Sequence, residues 1–133
     1  MKVSCVTGLS VGGWSNALNM LERAYQPGMA DETFPMLCED IVQCRALLWV
    51  AHIGLDVYGA ACTQVVVYPN GRKVCVIRAC AGHHWKEWSH TIKEIEDYAK
   101  QMGCAAVRLS GRKGWRKVLK GYHEPWVLME KEL

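Results

Sequence analysis

The side chains best suited to chemistry in this sequence are three clustered histidines, seven cysteines and six cations packed between Arg108 and Lys120. His83, His84 and His90 do not form H-E-x-x-H or a helical i, i+4 pair, and no cysteine or carboxylate joins them at ligand spacing. That argues against a metal site. The cysteines are odd in number, form no CxxC pair and lie mostly within apolar segments. They read as buried free thiols in a reducing compartment. Arg108, Arg112, Lys113, Arg116, Lys117 and Lys120 have no acid among them, whereas the rest of the chain carries ten cations against thirteen acids. The asymmetry sits within a short segment, and Trp115, Val118 and Leu119 are spaced to anchor that segment as a helix with its cations outward.

These residues need a scaffold, and the chain spells one out. "DVYGAACTQVVVYP" and "RKVCVIRACAG" flank Asn70-Gly71, the pair that best tolerates positive φ in a hairpin turn, so an antiparallel hairpin with a left-handed Gly71 is expected. In "KVCVIRACAG" both alternating sets are largely apolar, as in a strand covered on both faces. Trp88, Ile92, Ile95, Ala99 and Met102 share one helical face, and Gly103 follows as a left-handed cap. "AAVRLS" comes next as a short strand. So short a return implies a right-handed crossover into a parallel pair. Upstream, "RALLWVAHIG" reads as a strand. Before it, Trp14, Ala17, Leu18, Leu21 and Tyr25 mark one helix with Ser15 as its cap. Phe34, Leu37, Ile41, Cys44 and Leu48 mark a second, capped by Thr33 with Pro35 in the first turn, which must give way to that strand somewhere between Gln43 and Leu48. "KVSCV" reads as an edge strand and the C-terminal segment as a final one.

Half of the residues are hydrophobic, which excludes a disordered chain. The length fits one domain, 1–133, with a core that needs no staples. No apolar run approaches the roughly 20 residues of a membrane span, and the first residues are too broken by Gly, Ser and Trp for a signal peptide. A cytoplasmic location is expected.

The order helix, helix, β, β, β, helix, β, helix, β resembles the GNAT (N-acetyltransferase) superfamily over residues 14 to 131. The fold implied is α/β: a GNAT-like mixed central sheet, built from a hairpin plus a parallel strand-helix-strand unit, with flanking helices. "KVCVIRACAG", "GRKGWRKVLKGY" and "EKEL" are more narrowly similar to small GNAT-like proteins of tailed bacteriophages. The resemblance implies acetyl-CoA as cofactor and no metal. It places the pyrophosphate on the loop after the central strand, here Ala81, Gly82, His83, His84, Trp85 and Lys86. Active relatives carry a Q/R-x-x-G-x-G/A loop there, because backbone N–H groups must approach phosphate closely. This chain has only Gly82, followed by bulky residues.

The family's tyrosine proton donor, four residues before "GY", is replaced by Lys117, and the central strand offers no carboxylate as a base. Tyr68, Asp56, His123 and Glu124 are substitutes without distinguishing spacing. Trp85 and Trp88 read as packing residues; folded inward, they would close the coenzyme opening. Two functions therefore stand side by side. One is an acyl-CoA-dependent N-acyltransferase, phage-encoded, acting on an unknown amine. The other is a non-catalytic GNAT-fold protein that binds a virion component, a host protein or nucleic acid. The cationic segment is correspondingly a solvated helix face, a site for an anionic partner, or a contact to coenzyme phosphates.

Overall fold

The computed structural model describes residues 1–25, 32–111 and 114–133. Five strands, β1 (Lys2–Val6), β2 (Leu47–Ile53), β3 (Asp56–Val67), β4 (Lys73–Gly82) and β5 (Ala106–Leu109), lie in that order across one sheet. Neighbours are antiparallel except β4 and β5, which are parallel. One face carries α1 (Ser15–Ala24) and α2 (Phe34–Val42), whose Leu21, Leu37 and Ile41 pack with Leu48, Val50 and Cys62. The other face carries α3 (Trp85–Trp88), α4 (His90–Gln101) and the single turn α5 (Trp115–Val118). Trp88, Ile92 and Ile95 there meet Trp49, Ala61 and Ile77. Apolar layers on both faces explain why β2 and β4 are nearly continuous apolar runs.

The hairpin forms as its sequence demands. Tyr68 N–H donates to the Arg72 carbonyl, Gly71 N–H donates to the Tyr68 carbonyl, and Gly71 has φ +85°. Asn70 is not left-handed. Its Oδ1 accepts from Arg72 N–H at 2.9 Å, so the loop is a turn over Pro69-Asn70 closed by a left-handed glycine. At the end of α4, Gly103 (φ +77°) donates to Lys100 and Cys104 donates to Ala99, the paired bonds of a Schellman cap. Thr33 Oγ1 caps α2 by accepting from Met36 N–H.

Several expectations are corrected. Ser15 is the first residue of α1, and Trp14 holds the cap position without a side-chain bond. Cys44 and Leu48 do not extend α2. Cys44 turns the chain at φ +61°, Arg45 and Ala46 N–H groups donate to the Asp40 carbonyl, and Leu48 belongs to β2. Met102 sits at the C-cap, where the helix has left the sheet, and is exposed. Only Cys62, Cys75 and Cys80 of the seven free thiols are buried. The C-terminal segment forms no strand: β5 is four residues long and offers little outer edge, Pro125 supplies no N–H, and the Trp126 ring lies under the Arg108 guanidinium. Trp126 to Met129 are exposed.

The most consequential departure is in β4. Cys62 pairs with Ala79 and Thr63 with Ile77, which leaves Arg78 as the extra residue of a β-bulge. The bulge shifts the alternation, so Cys75, Ile77 and Cys80 all face α4 despite their opposite parity. Arg78 points to the α2 face with its side chain 8% exposed. It donates to Glu32 Oε2 (2.8 Å), Asp40 Oδ2 (2.7 Å) and Gln64 Oε1 (3.1 Å).

Asp40 also accepts from Arg45, and the two guanidiniums, Arg45 then Arg78, hold its carboxyl below the usual carboxylate range. A carboxyl depressed in the folded state stabilises the fold above its unfolded pKa of about 3.9, and that contribution is lost as pH falls through the folded value. Asp40→Asn should cost about 2 kcal/mol at pH 7, because Glu32 still pairs Arg78 and Asp40 is partly solvated. In urea titrations, the gap from wild type should close as pH drops below 4. A pH-independent gap would exclude the ionic role.

Candidate functional site

Pairing between β4 and β5 stops at Ile77 and Leu109, so Arg78 to Gly82 have no strand on their β5 side. The strands part at the bulge. A cleft of about 620 Å³ opens there, walled by the end of β4, by Leu109 to Gly111 and by Gly114, Trp115 and Val118. Arg78 and Tyr25 bound one end of it, where Tyr25 donates to Glu32 Oε1 at 2.9 Å. Burial, then that carboxylate, pushes the Tyr25 phenol up, so it stays protonated at neutral pH. Cys80 also lines the cleft, and burial pushes its thiol up to about 12. It is therefore not a nucleophile at neutral pH.

Three indoles set the shape of the opening. Trp88 is 2% exposed and lies flat on the paired glycines Gly59 and Gly82. A Cβ on Gly82 would come within 2.7 Å of the indole and 2.6 Å of the Tyr58 carbonyl, and one on Gly59 would strike the ring more closely still. Trp88 Nε1 donates to the His83 carbonyl at 2.9 Å. The expected single helix is divided into α3 and α4 at Ser89, directly after Trp88. Trp85 meets Trp88 and Trp115 edge-on, with centroids 4.5 and 5.2 Å away. Trp115, expected to be buried, is half-buried, and Val118 is exposed.

The predicted coenzyme residues gather at one end of the cleft. Ala81, Gly82, His83 and Trp85 line it, His84 lines a neighbouring cavity, and Lys86 is exposed on α3. The His83 N–H is committed to the Tyr58 carbonyl at 3.1 Å, which withdraws it from phosphate binding. His84 takes a left-handed φ of +56°. The N–H groups of His84, Trp85 and Lys86 have no main-chain acceptor among the described residues.

The predicted cationic residues are less uniform. Arg108 is half-buried, donates to the Tyr68 hydroxyl at 3.0 Å and lies between the Tyr68 and Trp126 rings. Arg116 pairs with Glu124. Lys117 and Lys120 are exposed. Arg112 and Lys113 lie outside the described residues. Lys117, which stands at the position of the tyrosine that the resemblance implies, does not line the cleft. Among the other substitutes, Asp56 lines the neighbouring cavity, while Tyr68, His123 and Glu124 line neither. Among the described residues no three His, Cys, Asp or Glu side chains converge as metal ligands. Glu32, Met20 and Arg23 were not singled out in sequence, and Tyr25 was read only as a helix-face residue. An arginine within an apolar strand was the one available signal, since a buried guanidinium requires carboxylate partners.

The architecture is shared with solved acetyltransferases. A ribosomal-protein-alanine N-acetyltransferase from Brucella melitensis biovar Abortus matches all of this chain and all of its own at 12% identity, with a TM-score of 0.71. A predicted acetyltransferase from Clostridium acetobutylicum, solved with acetyl-CoA, matches 97% of this chain and 95% of its own at 13% identity and TM-score 0.73. An aminoglycoside N-acetyltransferase solved with CoA matches 98% and 93% at 15% identity and TM-score 0.71. The fold is GNAT-like. No protein-family model matches the chain, and no curated protein matches its sequence.

If Trp88 is the floor of the cleft, its removal should be costly and its glycines intolerant. Trp88→Ala should lose about 3–5 kcal/mol in denaturant titration, as large aromatic truncations in cores do. Trp115→Ala, from a half-buried site, should lose about half of that. Gly59→Ala should lose about 1–3 kcal/mol by overpacking, and combined with Trp88→Ala should cost less than the sum.

Proposed function

We propose that residues 1–133 form one GNAT-like domain that binds an acyl-CoA in the cleft between β4 and β5 and transfers the acyl group to an amine. The observation that carries this reading is the parted strand pair. The bulge at Arg78 frees the β4 edge from Arg78 to Gly82, and the free edge faces a 620 Å³ cleft in a fold shared with proteins solved with acetyl-CoA and CoA. A free strand edge offers main-chain donors and acceptors to the amide groups of a pantetheine arm, and the volume lies within the range of small-ligand sites. The pyrophosphate would meet the N–H groups of His84, Trp85 and Lys86, with the Lys86 side chain adding charge.

A second reading has its own observation. Trp88 and Trp85 occupy the place where the family keeps small residues, and Gly82 is the loop's single glycine. On that reading the domain is a non-catalytic binding protein, and the exposed cations Lys117 and Lys120 contribute to a surface for an anionic partner such as nucleic acid. The likeness of "KVCVIRACAG" and "GRKGWRKVLKGY" to small phage proteins supports a phage-encoded chain acting in the host cytoplasm or the virion on either reading.

Calorimetric titration with acetyl-CoA separates the two. Binding is expected, and Lys86→Glu should weaken it about tenfold, the effect of roughly 1.4 kcal/mol from like charge beside phosphate. No heat at millimolar acetyl-CoA would favour the binding-protein reading. Filter binding to duplex DNA then tests that alternative: nonspecific phosphate contacts should weaken steeply with salt, by about 0.9 log unit per log unit of salt for each contact.

A further inference from the structure

The far edge of the sheet, away from β5 and its cleft, holds a pair of side chains that the coenzyme reading does not use. Ser4 on β1 and His52 on β2 lie with Oγ and Nε2 2.8 Å apart. The other ring nitrogen, Nδ1, lies 2.8 Å from the Gly54 carbonyl. A carbonyl oxygen only accepts, so Nδ1 carries a proton. In the neutral ring Nε2 is then the acceptor, and the Ser4 hydroxyl donates to it. A hydroxyl bonded to an imidazole whose far nitrogen is oriented by a third group is the arrangement that activates a serine as a nucleophile.

Local features of the fold hold the imidazole in that role. Ile53 pairs with Asp56 across a tight turn opened by Gly54 at φ +58°, and this turn brings the Gly54 carbonyl back to the His52 ring. The β2–β3 register shifts between Ala51 and His52, a bulge of the kind that re-aims a side chain. His52 is 8% exposed and its ring lies beside the Trp14 indole, with centroids 4.6 Å apart. When a proton reaches Nε2, the imidazolium has the Gly54 carbonyl at Nδ1 and an indole next to it, and both favour the cation. Ser4 keeps part of its surface exposed, on an edge strand paired on one side only, while the base behind it is buried.

From this geometry we infer that Ser4 is a nucleophilic site, activated by His52, that takes an acyl group from an activated ester. Ser4 Oγ attacks the ester carbonyl carbon as its proton passes to His52 Nε2. A new C–O bond forms to the serine and the C–O bond to the leaving group breaks. The imidazolium gives its proton to the departing alkoxide, which ends as the alcohol, and the product is an acyl-serine. The charged groups nearest His52 are Lys2, opposite it on β1, and Asp56, opposite its neighbour Ile53 on β3. The turn Gly8–Trp14, which carries the indole, brings no charge. The site stands or falls independently of acyl-CoA binding in the cleft.

The test uses the whole chain and diisopropyl fluorophosphate, which reacts with activated serines by loss of fluoride and leaves a stable adduct. Peptide mass spectrometry should find the label on Ser4, formed about 100-fold or more faster than on the exposed Ser110, the usual worth of a positioned base. His52→Gln should bring Ser4 down to the rate of Ser110 while circular dichroism stays that of wild type. In the wild-type chain the ratio of the two rates should fall as pH drops from about 8 to about 5, where an imidazole takes up its proton. A serine that is merely reachable would give a flat ratio, so this readout decides the matter even if His52→Gln does not fold. Labelling of Ser4 no faster than that of Ser110 overturns the inference. So does fast labelling that is indifferent to pH or survives in folded His52→Gln.

Discussion

A guanidinium buried in the middle of a sheet is intolerable unless its charge is matched, and much of this structure follows from how Arg78 is matched. Its side chain meets Glu32, Asp40 and Gln64, which ties α2 and the segment entering it to the central hairpin. The same residue is the extra one of the β4 bulge. A bulge increases local twist and breaks the ladder, and the β4–β5 pairing ends one residue before it. The ion cluster, the bulge and the end of the β4–β5 ladder therefore meet at one place in the sheet. Uncompensated, a charge at that depth would cost several kcal/mol, so the carboxylates are what make the buried guanidinium tolerable at the bulge.

The other face of the sheet answers a different constraint. Gly59 and Gly82 leave a shallow depression at the end of the hairpin, and the Trp88 indole fills it. A loop of small residues would leave backbone open to a phosphate. This chain instead places indole on glycine and takes the His83 main chain out of play by bonding it to Tyr58 and Trp88. The N–H groups left without a main-chain acceptor among the described residues are one residue along, at His84 through Lys86, and the His83 side chain lines both cavities. Bulk in the loop thus changes which groups are presented as much as how much room remains.

The buried thiols play a supporting part. Cys62, Cys75 and Cys80 sit in the layers beside the bulge, where burial pushes each well above its ordinary range. They behave as small apolar residues, and Cys80 is the one of the three that lines the cleft.

Elements whose signals are local were legible in the residues themselves. Asn70-Gly71 set the hairpin, Gly103 ended α4, Thr33 capped α2, and the two-faced apolar pattern of "KVCVIRACAG" marked a covered strand. Each depends on a few neighbouring backbone angles or on a short period. The parallel β4–β5 pair also followed, because a short strand-helix-strand return leaves one handed path. What depended on distant partners was not legible. The bulge at Arg78 is decided by carboxylates 38 and 46 residues away in sequence, and the inward turn of Trp88 by a glycine on β3. The C-terminal segment has a strand's composition but finds only a four-residue edge beside it. His83 was identifiable as a residue of the loop that follows β4. Its position between two cavities exists only once α1 is laid against β3 and β4, because sequence encodes side-chain chemistry locally, whereas a junction between sites is a property of packed surfaces.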